Sequence, residues 1–140
     1  MELFSDSINH GEPIDATYAM GKPDPDTRAT FAGNLSPHLR WTGAPEETKS
    51  FAIVVHDTDA PTVPDDVNQE GRSVPHDLPR ADFFHWVLVD IPPYQSELVE
   101  GAFSAGVTPG GKAGPEVSDG LRHGINSYTA WFAGDAEMSG

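Results

Sequence analysis

The 140-residue chain contains no cysteine. That excludes disulfides, thiolate-bound metals and a cysteine nucleophile, and it leaves the redox compartment open. Basic residues are scarce: Lys and Arg total 8 against 22 Asp and Glu, for a formal charge of −14. So acidic a surface repels nucleic acid and anionic lipid, and general binding to either is not expected, though a small pocket can still take an anion. No apolar run approaches the roughly 18 residues of a membrane-spanning helix, so no stable membrane insertion is expected. The opening "MELFSDSINHGEPI" lacks a basic stretch leading into an apolar one, which sets the expectation of a cytoplasmic protein without a secretory signal. Helix patterns are few, because 13 prolines and 14 glycines interrupt them.

What remains points to strands. A chain of 15.0 kDa with 9% aromatic residues can bury a core, and it is read as one domain over residues 1–140. "SFAIVV" (Ser50 to Val55) and "FFHWVLVDI" (Phe83 to Ile91) are β-branched and aromatic. Uninterrupted alternation in the second puts Phe83, His85, Val87 and Val89 on one face and Phe84, Trp86, Leu88 and Asp90 on the other. Both faces are mostly apolar, so this strand is expected in the middle of a sheet. "PPYQSELVEGAF" (Pro92 to Phe103) is read as one or two helical turns, with Ser96 as N-cap and Gly101 as the stop. Ala60 to Asp82 is expected to be a long polar connection, and the Gly-rich stretch from Ser104 to Tyr128 a second loop. The fold class is mostly β with long loops.

If the two strands pair antiparallel, the end of the first lies beside the start of the second. Asp57, Asp59 and His85 then meet at one sheet end, under the long loop. In an extended backbone Asp57 and Asp59 point the same way about 7 Å apart, and they repel by roughly 2 kcal/mol at an effective dielectric near 20. Main-chain N–H donors, a protonated His85, a metal ion or a separating turn at Ala60-Pro61 would offset this. Plainer readings stand beside that one. Asp-x-Asp after a strand serves as a turn or a helix cap, and His85 among aromatics serves as a core histidine. Asp65-Asp66 and His76-Asp77 read as solvated loop, His56 is left unassigned, and "KPDPDT" (Lys22 to Thr27) lacks EF-hand spacing.

Four motifs occur in order: "NLSPHLRW" from Asn34, "GAPEETKSFAIVVHDTDAP" from Gly43, "FFHWVLVDIPP" from Phe83 and "GINSY" from Gly124. Together they resemble the phosphatidylethanolamine-binding protein family, in its bacterial and archaeal Raf kinase inhibitor-like branch. The resemblance implies an antiparallel β-sandwich with few short helices, long loops and a small anion pocket at one end. Carried over by position, Asp57 and His85 line that pocket, Phe83 forms an apolar wall and Asp59 braces the loop. Ala60-Pro61 becomes a cis peptide that shapes the rim. The implied ligand is a phosphate-like or carboxylate anion, including a phospholipid head group. Modulation of a kinase or other enzyme, a protein partner and a homodimer are implied as well, and no cofactor is. After Gly-x-Asn the family continues into a Gly-Pro-x-Pro-Pro stretch, a His-x-Tyr strand and a C-terminal helix. "TAWFAGDAEMSG" has none of these, so a truncated chain with an incomplete pocket edge is expected. Two other functional readings remain open at this point. One is a hydrolase using His85 with Asp57, or a metal held by His56, Asp57, Asp59 and His85. The other is an interaction protein with a vestigial pocket.

Overall fold

The computed structural model describes residues 1–67 and 69–135. They form two compact units, one from Met1–Lys49 and Pro92–Thr108, the other from Ser50–Ile91 and the described residues from Pro109 onward.

The first unit holds a three-stranded antiparallel sheet in the order β1 (Glu2–Phe4), β4 (Leu39–Thr42), β7 (Glu97–Leu98). It also holds a hairpin of β2 (Gly21–Asp24) and β3 (Arg28–Phe31). "KPDPDT" makes the hairpin turn: Asp24 Oδ1 accepts the main-chain N–H groups of Asp26 and Thr27 and the Thr27 hydroxyl. Leu39, Trp41 and Leu98 form the buried core of this unit. The helical turn expected between Pro92 and Phe103 does not form, and β7 stands in its place. Two prolines cannot donate, Leu98 gains burial by pairing with Leu39, and the Trp41 N–H bonds the Ser96 carbonyl.

The second unit is built on β5 (Phe51–Pro61), β6 (Arg80–Ile91) and β8 (Arg122–His123), antiparallel throughout, with the short helix α1 (Ser127–Trp131) against β6. β6 is the middle strand, as its two apolar faces indicated. Leu88 and Ile91 on this strand, with Leu121 ahead of β8, are the unit's fully buried side chains. Both long strands outrun the sequence expectation. Pairing continues through Ala60 with Ala81 and Pro61 with Arg80, so the connection narrows to Thr62 through Pro79. That pairing keeps the chain extended at Ala60-Pro61, which is not the cis peptide expected there. Among the described residues the cis bond is Gly114-Pro115. β8 lies inside the stretch read as loop, because Gly124 lets the chain close on β6: its N–H bonds the Val87 carbonyl at 3.0 Å.

β-Bulges let the long pairing proceed. Val55 pairs with Trp86 but His56 with Phe84, which leaves His85 as an extra residue on β6. Asp57 pairs with Phe83 but Ala60 with Ala81, so a second extra residue falls on β5 at Thr58–Asp59. A third lies at Val89–Asp90, where Asp90 takes a positive φ of 62°. The bulge at His85 overturns the expected faces. Cross-strand partners share a face, so Phe83, Trp86 and Leu88 line up with Asp57, Val55 and Ile53, while Val87 turns away with Val54. The mostly-β antiparallel class holds, with a single short α-helix among the described residues. None of their helices is long and apolar enough to cross a membrane.

Candidate functional site

The bulge delivers His85 to the side on which Asp57 and Phe83 sit. His85 Nε2 stands 3.9 Å from Asp57 Oδ2, and the Phe83 and His85 rings are 5.0 Å apart between centroids. At 3.9 Å the His–Asp pair is a charge contact rather than a hydrogen bond. The adjacent bulge on β5 supplies one of the main-chain donors expected to offset the repulsion between Asp57 and Asp59. Asp57 Oδ1 accepts the Asp59 main-chain N–H at 2.7 Å, so the loop is braced by the Asp57 carboxylate and the Asp59 backbone. The bracing side chain is thus Asp57, where the motif had suggested Asp59.

Helix α1 closes the site from the other side. Asn126 caps it by accepting the Tyr128 N–H at 3.1 Å, and Ser127 Oγ accepts the Phe84 N–H at 2.9 Å. This anchoring sets Tyr128 and Trp131, one helical turn apart, against Phe83 at ring distances of 4.8 and 6.2 Å, both edge-on. The Tyr128 hydroxyl lies 3.0 Å from His85 Nδ1. Together these residues, with Asp59, Ala60, Pro61 and Val67, line a pocket of about 210 Å³.

Among the described residues no lysine or arginine lines it. Burial pushes the His85 imidazole below its ordinary range, and the Asp57 charge pulls it back part of the way. Burial first, then the Asp57 charge, pushes the Tyr128 phenol up. The pocket therefore offers an imidazole that burial biases toward its neutral form, a phenol, the carboxyl groups of Asp57 and Asp59 and an aromatic wall.

All five residues singled out in the sequence, Asp57, Asp59, Pro61, Phe83 and His85, meet here. His56 does not. It stacks on Phe84 at 4.7 Å and its Nε2 meets Asp82 Oδ1 at 2.9 Å, on the opposite side of the sheet. The four-residue His56–Asp57–Asp59–His85 set is therefore not assembled. Asp66 is bound to Arg72 at 2.9 Å, and His76 and Asp77 are exposed, as expected of loop residues. Sequence reasoning missed Tyr128 and Trp131. Their signal was there: Asn126 is a good N-cap, and aromatics three apart on the following turn share a face.

The phosphatidylethanolamine-binding protein family profile matches residues 4–138. The chain belongs to this family. Among similar proteins, a UPF0098 protein of Aquifex aeolicus (strain VF5) is 33% identical over 128 residues, covering 91% of this chain and 53% of the relative. The UPF0098 protein YbcL of Escherichia coli (strain K12) is 33% identical over 109 residues, 77% of this chain and 46% of YbcL. The crystal structure of E. coli YbcL, described as a new member of the mammalian PEBP family, superposes with a TM-score of 0.60 at 29% identity. It covers 91% of this chain, which covers 60% of it. The chain thus spans about half the length of the curated relatives it matches. The family and the mostly-β antiparallel fold read from the sequence motifs both stand.

Proposed function

We propose that this chain is a binding protein whose pocket takes a phosphate-like or carboxylate head group, free or on a lipid, with one proton shared between ligand and site. The observation that carries the reading is the Asp57–His85 contact at 3.9 Å over the Phe83 wall. A fully ionised phosphate would face two carboxylates with no lysine or arginine to balance them. A phosphate or phosphomonoester monoanion instead donates an O–H to Asp57 and accepts from His85. A carboxylate or phosphodiester has no O–H to give, and there a protonated His85 supplies the shared proton and a charge-assisted bond. Membership of the family supports the same reading. Modulation of a kinase or other enzyme by the loaded protein, and a homodimer, rest on that membership alone. The proposal contains no cofactor and no covalent step.

Calorimetric titration with inorganic phosphate near pH 5 and near pH 8 tests it. Binding is expected to be tighter at the lower pH, and His85→Ala is expected to reduce the difference to what the ligand's own titration leaves. Equal affinities in the parent protein at the two pH values would overturn the proposal.

A further inference from the structure

We infer that Tyr128 is a ligand donor gated by His85: the neutral imidazole holds its hydroxyl, and proton uptake by His85 releases that hydroxyl to the bound anion. This inference rests on the anion-binding reading above and assigns the residue that makes it selective for pH.

The geometry defines two proton arrangements. Tyr128 Oη and His85 Nδ1 are 3.0 Å apart, and the opposite ring nitrogen, Nε2, faces the Asp57 carboxylate. With one ring proton, placing it on Nε2 sets N–H against the carboxylate and leaves Nδ1 as an acceptor for the phenol. Placing it on Nδ1 would set a lone pair against the carboxylate charge. The first arrangement is the stable one, and it commits the phenol O–H to His85. A second ring proton makes Nδ1 a donor. The phenol oxygen must then accept from Nδ1–H, and its own hydrogen turns to the other in-plane position, away from the imidazole. One proton thus adds two donors to a pocket that lacks lysine and arginine: the second imidazole N–H holds the phenol oxygen in place, and the freed phenol O–H meets the anion.

The groups that face His85 are few. β5 presents Asp57 with Asp59 beside it on the pocket rim, α1 presents Tyr128, and β6 itself presents the uncharged Phe83 ring. His56 and Asp82 are engaged with each other on the far side of the sheet, and His123 accepts the Trp86 indole N–H. Burial disfavours the imidazolium and the Asp57 charge favours it, so the gate opens with the help of that carboxylate. Tyr128 also carries the aromatic wall, but that role does not depend on pH.

Phosphate titration of the parent protein and of Tyr128→Phe at about pH 5 and about pH 8 separates the two roles, with the ligand's own titration common to both proteins. A released donor predicts a loss of about tenfold in affinity at the lower pH, the worth of a hydrogen bond to a charged group, and less than twofold at the higher. Equal losses at both pH values, or no loss at either, would overturn the gate while leaving phosphate binding by the parent protein intact. If the parent protein binds no phosphate at either pH, the anion reading and the gate fall together. An independent readout uses the ligand-free parent protein. At pH near 8 the ¹⁵N signal of His85 Nδ1 is expected in the range of an unprotonated acceptor nitrogen. A protonated Nδ1 there would refute the arrangement, whatever the variant's stability.

Discussion

Asp57 Oδ2 and His85 Nε2 stand 3.9 Å apart on adjoining antiparallel strands, and the two effects acting on His85 oppose each other. Burial disfavours the imidazolium and the Asp57 charge favours it, with burial the larger. Asp57→Asn removes the favouring influence and leaves burial in place. The His85 titration, followed by NMR, is expected to move further down in the variant. A titration that stays where it is would show that the two groups are not coupled.

The same burial makes stability depend on pH. His85 and His123 both have imidazoles held below their ordinary value, in each case chiefly by burial. The unfolded chain therefore takes up protons at a higher pH than the native protein. Stability from these groups is full above the unfolded value near 6.5 and is lost as pH falls through the folded values. Urea midpoints are expected to drop between about pH 7 and pH 5, before most carboxylates titrate. Phosphate is expected to offset part of the drop by drawing a proton onto His85. A flat profile over that interval would contradict the burial of both rings.

Much of this site was legible because its parts are local patterns. "HDTDAP" and "FFHW" flank one connection, and antiparallel pairing of two evident strands suffices to bring Asp57 to His85. What alternation does not reveal is a bulge. His85 is the extra residue of β6, so the residues from Trp86 to Leu88, up to the next bulge at Val89–Asp90, change face relative to a regular strand, and Trp86 and Leu88 join the side assigned to Val87 and Val89. Nothing in "FFHWVLV" marks the slip, since it is fixed by register with β5. β8 and β7 were hidden for a different reason. Two-residue strands carry no periodicity, and both exist because a neighbour pairs with them: Leu88–Val89 in one case and Leu39–Arg40 in the other. The cis expectation at Ala60-Pro61 came from the family motif and yields to the extended pairing with β6.

In the first unit a buried histidine is expected to hold the N-terminal segment. His38 is 8% exposed, and its Nδ1 accepts the Asp6 N–H at 3.0 Å. The ring proton therefore sits on Nε2 and is donated to Glu97 Oε1 at 3.0 Å. The Ser5 hydroxyl donates to the His38 carbonyl, and the His38 N–H donates to Ser7 Oγ. His38→Phe preserves ring bulk but removes the partner of the Asp6 N–H and of Glu97, both open to water, so a loss of about 1 kcal/mol is expected. Glu97→Gln keeps a carbonyl for Nε2–H and should cost less. Denaturation midpoints that rank the two variants the other way would refute this role.

A glycine ties the fold to the site. A Cβ at Gly124 would lie 2.8 Å from Val87 Cγ1 and 3.0 Å from Val87 Cβ. Val87 is β-branched and sits in the middle strand, so it cannot swing aside. Gly124→Ala must therefore push its own segment off β6, weakening the 3.0 Å bond from its N–H to the Val87 carbonyl. Two residues later Asn126 caps α1, so the displacement carries Tyr128 away from His85. The expected cost is about 1–3 kcal/mol by denaturation, together with a weakened pH dependence of phosphate affinity. Gly21→Ala is the control. A Cβ there would meet only the Thr30 carbonyl oxygen at an ordinary 3.6 Å, and both readouts should stay near those of the parent protein. If Gly124→Ala is as benign as Gly21→Ala, β8 does not position α1, and the path from this glycine to the pocket is broken.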